Sequence, residues 1–471
     1  MGSCKCALPA FRANLFFVFF VYSVFFPNRS GLVPNQTWRI RLNRIRGWPA
    51  FLMKTLSIAV VARCLALAGG VSVSAQTWTP TSAPTNGWAS IACSADGTRV
   101  IACAGGSPVY EIPSGIYVSP DGGTNWMLTT APTTYWASVA CSADGTNLVA
   151  VSGTISRLGG IFTSSDGGLT WVSNRVAAQH WQSVASSADG SRLFAATTTG
   201  SLYTSTNAGA IWASNPAPAG ISFVATSADG RRLVALPGGW GSGSNQVFTS
   251  TNAGATWDTH WTQNDSLTAR IWRAAASSAD GKVLAVAEGS GNTFGHVYTS
   301  TDFGATWASN DLPVLSWQTV ALSADGTRMV AAAWTDSGKP TGPVYTSTDT
   351  GRSWISNSLL DSAWNGLACS ADGNKVVAAC AGNDLSTMGS GQIWASQTTA
   401  LPSLTISPSS SNLIVSWPVP STSFVLQQNT DLRATNWVTV FDTPSLNLTD
   451  LQYQVMLPPT NSRGYFRLST P

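Results

Sequence analysis

The side chains able to do chemistry are few and widely scattered. Beyond residue 75 the chain holds two glutamates, Glu111 and Glu288, and its three histidines, His180, His260 and His296, stand far apart in sequence. That spacing indicates neither a clustered metal centre nor a Ser-His-Asp triad, so no metal and no cofactor is expected. Hydrolysis of a glycosidic bond needs only two carboxylates about 5 to 10 Å apart. Seven of the twenty aspartates stand in one repeated turn and four in another, which leaves, within the repeated part of the chain, Glu111, Asp258, Asp265, Glu288, Asp311, Asp336, Asp361 and Asp384. Their spacing selects no pair. A different pattern is more coherent: Tyr110, Glu111, Trp240, Trp261, Glu288, His296, Trp334, Asp336 and Asp384 fall in irregular segments and mix aromatic rings with polar groups. Rings that cover apolar faces and polar groups that fix orientation make a surface for a sugar or a peptide. The other reading of the same segments is solvated loop.

The elements that would position these residues are set by two alternating turn signatures. Ser-Ala-Asp-Gly begins at Ser94, Ser142, Ser187, Ser227, Ser278, Ser323 and Ser370. Between its copies runs a second signature, Ser164 to Trp171 being the type example, with others at Ser119, Ser205, Ser250, Ser300 and Ser347. A period of roughly 40 to 51 residues carried by two turns is the pattern of a β-propeller blade. In the second repeat, Trp136 to Cys141, Asn147 to Ser152, Gly160 to Ser164 and Thr170 to Asn174 read as four short strands in a meander. Asp144-Gly145 suits a tight hairpin, where Asp bonds its own backbone and Gly takes positive φ. Tryptophan stands six residues before the Ser-Ala-Asp-Gly serine in six repeats and Ile221 in the fourth, so this column reads as packing between blades. Cys93, Cys141 and Cys369 stand where other repeats place Ser186, Thr226, Ser277 and Leu322, which marks a small core slot, and no CxxC pair is present.

The second signature, Ser-x-Asp-x-Gly-x-Thr-Trp, resembles the Asp-box, or bacterial neuraminidase repeat, of sialidases, xyloglucan-cleaving glycosidases, sortilin-type receptors and photosystem II assembly factors. The resemblance implies a β-propeller with the box between the third and fourth strands, and leaves function open. Its acidic position is filled by Asp121, Asp166, Asn207, Asn252, Asp302 and Asp349. Asn keeps the turn hydrogen bonds and loses the charge, so the box is read as a turn clamp and not as a catalyst or calcium site. A sialidase would also need three converging arginines, a Tyr nucleophile paired with Glu, and a Phe-Arg-Ile-Pro-like segment before the first box. That segment is absent, and Arg99, Arg192, Arg231, Arg232 and Arg328 follow the Asp-Gly turns on the opposite face.

Seven Ser-Ala-Asp-Gly turns imply seven blades, yet only six boxes exist. The strand missing after Trp394 is expected at the other end, where Gln76-Thr77-Trp78-Thr79 resembles the strand after a box and would close the ring. A Pro- and Ser-rich stretch from Leu401 to Ser411 reads as a linker, and five short apolar runs after it as an immunoglobulin- or fibronectin III-like sandwich. The expected fold is therefore all-β: a seven-bladed propeller over 76–400 followed by a small β-sandwich within 401–471.

Residues 1–75 read as an upstream extension plus a signal peptide, with translation beginning at Met53, an apolar run from Leu56 to Leu67, and small residues Val73-Ser74-Ala75 for cleavage. The mature chain is thus expected to be secreted or periplasmic, monomeric, and without a stable membrane span. Nine of the 25 Lys and Arg lie in this segment, which has no acid, so the remainder carries 16 basic against 22 acidic groups. That balance gives no reason to expect nucleic acid. The function expected is non-enzymatic binding of a glycan or protein through the variable loops. The alternatives are a two-carboxylate glycoside hydrolase and an assembly factor similar to those of photosystem II.

Overall fold

The computed structural model describes residues 78–105, 114–153, 156–215, 217–218, 220–238, 246–260, 270–289, 294–335, 342–357, 362–382, 390–397, 404–409, 412–418, 425–429, 437–448, 450–458 and 465–469. Within them every regular element is a strand, arranged in eight four-stranded antiparallel sheets and one three-stranded sheet. Seven of the four-stranded sheets carry the repeat.

One repeat shows how sequence becomes sheet. In the second, strands Trp136–Cys141, Leu148–Ser152, Ile161–Ser164 and Val172–Ser173 pair in order as a meander. Leu148–Ser152 is buried along its whole length because a neighbouring sheet covers each of its faces, which is why it reads as an unbroken apolar run. The two-residue outer strand is exposed. A bulge just after Trp136 recurs after Trp88, Trp181, Ile221, Trp272, Trp317 and Trp364. Each of those six other side chains, like Trp136, is 0–1% exposed, wedged between its own sheet and the preceding one.

Both turns are closed by their own side chains. In the first, Ser142 Oγ donates to Asp144 at 2.5 Å, Asp144 accepts the Thr146 amide at 3.0 Å, and Gly145 takes φ 67°. In the second, Ser164 Oγ donates to Asp166 at 2.8 Å while accepting the Gly168 amide at 2.9 Å, and Asp166 accepts the Thr170 amide at 2.9 Å. Asn207 does the same work without a charge, accepting Ser205 Oγ and the Ile211 amide at 2.9 Å each.

The sheets are tied at their inner edge by a closed chain of backbone hydrogen bonds. The Ala95 amide donates to Ala143, Ala143 to Ala188, Ala188 to Ala228, Ala228 to Ala279, Ala279 to Ala324, Ala324 to Ala371, and Ala371 back to Ala95, at 2.7–2.8 Å. The seventh sheet is composite: Trp78–Pro80 pairs with Ile393–Gln397, Trp78 lying opposite Ser396 and Thr79 opposite Ala395. The N-terminal strand therefore supplies what the last repeat lacks. After it, Thr405–Ser409, Asn412–Pro418, Ser445–Asn447 and Gln452–Leu457 form one small sheet, and Val425–Asn429, Val438–Thr439 and Tyr465–Ser469 another. Val415, Trp417 and Val455 from the first share one apolar cluster with Leu426 from the second.

Candidate functional site

A four-strand meander puts the first–second and third–fourth connections on one face, and the second–third connections with the links between sheets on the other. Both repeated turns lie on the first face. Of the residues singled out for the other face, Tyr110, Glu111, Trp240, Trp261, Asp336 and Asp384 lie outside the described residues. Glu288, His296 and Trp334 lie within them.

The structure brings Glu288 and His296 together at the variable end of the fifth sheet. Glu288 ends strand Leu284–Glu288 and His296 precedes strand Val297–Ser300; the Glu288 amide donates to the His296 carbonyl at 3.0 Å. Arg270 and Tyr298 complete the group. Arg270 Nη1 lies 2.6 Å from Glu288 Oε2, with the two side chains only 9% and 10% exposed. The same nitrogen donates to Tyr298 Oη, whose hydroxyl lies 3.4 Å from Glu288 Oε2. The guanidinium carbon stands 5.0 Å from the centre of the Tyr298 ring, and the His296 ring meets that ring edge-on at 6.0 Å. His296 Nδ1 is buried with no hydrogen-bond partner among the described residues. Gly295 makes room for the cluster, since a Cβ there would come within 2.5 Å of Glu288 Cγ.

Burial, and after it the Glu288 charge, push the Tyr298 phenol above its ordinary value. Its hydroxyl stands between the Arg270 guanidinium and the Glu288 carboxylate as a hydrogen-bonding group. Nearby, Arg273 Nε donates to the Gly289 carbonyl at 3.1 Å, and burial lowers its pKa. The fifth sheet thus carries two guanidinium groups at its variable end, although most propeller arginines lie on the turn face. Trp334 is half-buried in the next sheet, one residue past the position equivalent to Glu288.

The repeat makes one of these residues readable and hides another. Opposite the tryptophan column stand Ala104, Ser152, Thr197, Pro237, Ala333 and Cys380, and in the fifth repeat Glu288. One carboxylate in a column of small or neutral residues marks a local purpose. Tyr298 is masked by its own regularity, because the equivalent ring packs edge-on against the tryptophan in other repeats: Tyr117 on Trp88 at 5.3 Å, Phe162 on Trp136 at 5.2 Å, Tyr203 on Trp181 at 5.1 Å. Only its hydroxyl, turned toward Arg270 and Glu288, departs from that duty.

The turn face is chemically closed. Hydrogen bonds from Thr170, side chain then backbone, lower the Asp166 pKa to about 2. At Asp96 and Asp144 burial opposes, but the bonds from Ser94 and Thr98, or Ser142 and Thr146, outweigh it and the pKa falls. Burial pushes the Cys103, Cys141 and Cys369 thiols up to about 12, and all five described cysteines are unbridged. Two clefts open between sheets on this face, one of about 140 Å³ lined by Ile101, Val118, Met127, Leu148 and Leu169, the other of about 230 Å³. Both fall below the roughly 300 Å³ that small-molecule sites begin at. Among the described residues no three His, Cys, Asp or Glu side chains are placed to hold a metal ion, and no helix is long and apolar enough to cross a membrane.

No protein-family profile matches the sequence, and a search of curated proteins finds no match. Solved structures do match. A GH74 xyloglucanase from Xanthomonas campestris aligns at 15% identity and TM-score 0.52 over 73% of this chain, which spans 59% of that enzyme. A GH74 enzyme from Niastella koreensis aligns at 15% identity and TM-score 0.52, covering 84% of this chain and 74% of its own. YCF48 from Cyanidioschyzon merolae aligns at 14% identity and TM-score 0.48 over 69% of this chain and 99% of its own. At such identities the two stronger likenesses establish a β-propeller fold and nothing of the chemistry.

Proposed function

We propose that the chain is an exported Asp-box propeller of seven blades with an immunoglobulin-like C-terminal sandwich, and that it binds a glycan or a protein without turning it over. Its ligand face is the variable one. To it we assign Glu288, His296 and Trp334, and from the sequence alone Tyr110, Glu111, Trp240, Trp261, Asp336 and Asp384. The seven repeated sheets, the closed chain of seven alanine hydrogen bonds and the N-terminal strand in the last sheet support the blade count. The Ser-x-Asp turns support the Asp-box reading.

The observation that carries binding over hydrolysis is the state of Glu288. A catalytic carboxylate must reach a substrate oxygen or a water. Glu288 is instead buried, faces Arg270 at 2.6 Å, and has the Tyr298 hydroxyl 3.4 Å away. A removed partner would leave an uncompensated buried charge, so the trio acts as a brace between strands Leu284–Glu288 and Val297–Ser300. The ligand-facing groups are then the aromatic and polar residues outside the brace.

The test is a panel of glycans, xyloglucan included, and of extended peptides, assayed for binding and for hydrolysis with the same preparation of the mature chain. Binding without turnover is expected. Turnover that is abolished by Glu288→Gln or Tyr298→Phe in a folded variant would replace this reading with a glycoside hydrolase.

A further inference from the structure

The ring of alanines on the turn face is an apolar seat. Each amide is already matched by the next carbonyl, so the ring has little left to offer water or a polar partner. An apolar cover is what such a surface favours. The chain supplies one: Leu451 and Tyr453, from the C-terminal pair of sheets, pack against Ala95 and Ala371, with Ala143 and Ala324 in the same cluster. Leu451 adopts φ 53°, in the left-handed region that residues other than glycine avoid, at the turn that leads into strand Gln452–Leu457. Tyr453 is fixed from behind, opposite Trp417 in the ladder and with its ring 6.1 Å from the Trp417 ring. Burial and the neighbouring Asp96 raise its phenol pKa, consistent with a side chain pressed onto the first turn.

The four alanines belong to the sixth, seventh, first and second sheets. That arc includes the sheet in which the two distant parts of the chain pair, the three residues of Trp78–Pro80 against Ile393–Gln397. We infer that the C-terminal pair of sheets is a clamp on this seam, its Leu451–Tyr453 knob spanning the sheets on either side of the closure. The chain leaves the seam at Gln397 and is described again from Leu404, so the clamp is tethered beside its seat and docks as an intramolecular event. The clamp also covers part of the turn face, which leaves the variable face for an outside ligand.

Amide hydrogen exchange on the full chain tests this, read at Thr81, whose amide donates to the Ile393 carbonyl at 2.9 Å across the seam. The third-sheet strand Leu193–Thr197 serves as the internal reference. Leu451→Gly removes half the knob while suiting the positive φ, and Leu451→Gly with Tyr453→Ser removes all of it. Met456→Ser, on the same strand but 63% exposed, is the control. Exchange at Thr81 should quicken about ten-fold or more in the double variant and less in the single one, with the reference and the control within about two-fold of the parent. Exchange at Thr81 that stays within about two-fold, or that quickens equally in the third sheet, overturns the clamp.

Discussion

The two faces of the ring are made from the same strands and do opposite things with their polar groups. On the turn face, the hydroxyls and carboxylates of Ser94, Asp96, Ser142, Asp144, Ser164 and Asp166 are engaged by backbone and side chains within six residues of themselves. On the variable face, the polar groups of the fifth sheet meet across 10 to 28 residues of sequence, Arg270 reaching both Glu288 and Tyr298. Local satisfaction makes a turn that any repeat can copy. Satisfaction at a distance makes a single place, and a single place is where recognition can be specific. Where Asn207 and Asn252 replace the aspartate, the turn survives intact, whereas no other described repeat carries the Glu288 carboxylate at its equivalent position.

That contrast can be broken in graded steps. Removing Trp78–Pro80 should have the largest effect, because it leaves the seventh sheet three-stranded and bares the edge of strand Ile393–Gln397. The whole propeller should lose its cooperative thermal transition, and an unchanged melting curve would refute closure by this strand. Next is Trp136→Ala, which empties the space between the first and second sheets beside Ile101, Ile116 and Phe162. About 3–5 kcal/mol should be lost in urea unfolding. Arg270→Ala should cost about 3 kcal/mol, since it strands the buried Glu288. Arg270→Met combined with Glu288→Leu should recover most of that loss, and a double variant no better than the single would show that packing, not charge, holds the group.

Acid comes lower in the series. Asp96, Asp144, Asp189, Asp302 and Asp349 have folded pKa values below the ordinary 3.8, and Asp166 falls to about 2. A depressed folded value means the stabilisation is complete above pH 3.8 and is lost as pH falls through the folded values. Melting temperature should therefore be flat from neutrality to about pH 4 and decline from there toward about pH 2. Smallest of all, Asp166→Asn at neutral pH should leave the melting midpoint where it is, because Asn207 and Asn252 already make the same bonds.

How much of this was legible in the sequence follows the same division. The strands, both turns, the tryptophan column and the closing strand at Trp78 could all be read, because each depends on residues within one repeat or on counting repeats. The seat of Glu288 could be read in part, as a charge in a column otherwise filled by Ala104, Ser152, Thr197 and their equivalents. Its pairing with Arg270 could not, since nothing local selects one arginine from the rest. Tyr298 was hidden by a role it shares with Tyr117, Phe162 and Tyr203, and the Leu451–Tyr453 contact by distance, for it joins the C-terminal sheets to turns near both ends of the ring.

The division of labour between the faces is tested most directly by one dissociation constant, measured for the tightest-binding member of the glycan and peptide panel. Trp334→Ala on the variable face should weaken it about ten-fold or more, while Asp166→Asn on the turn face leaves it unchanged. Weakening by Asp166→Asn with full affinity in Trp334→Ala would put the ligand on the turn face and contradict the account.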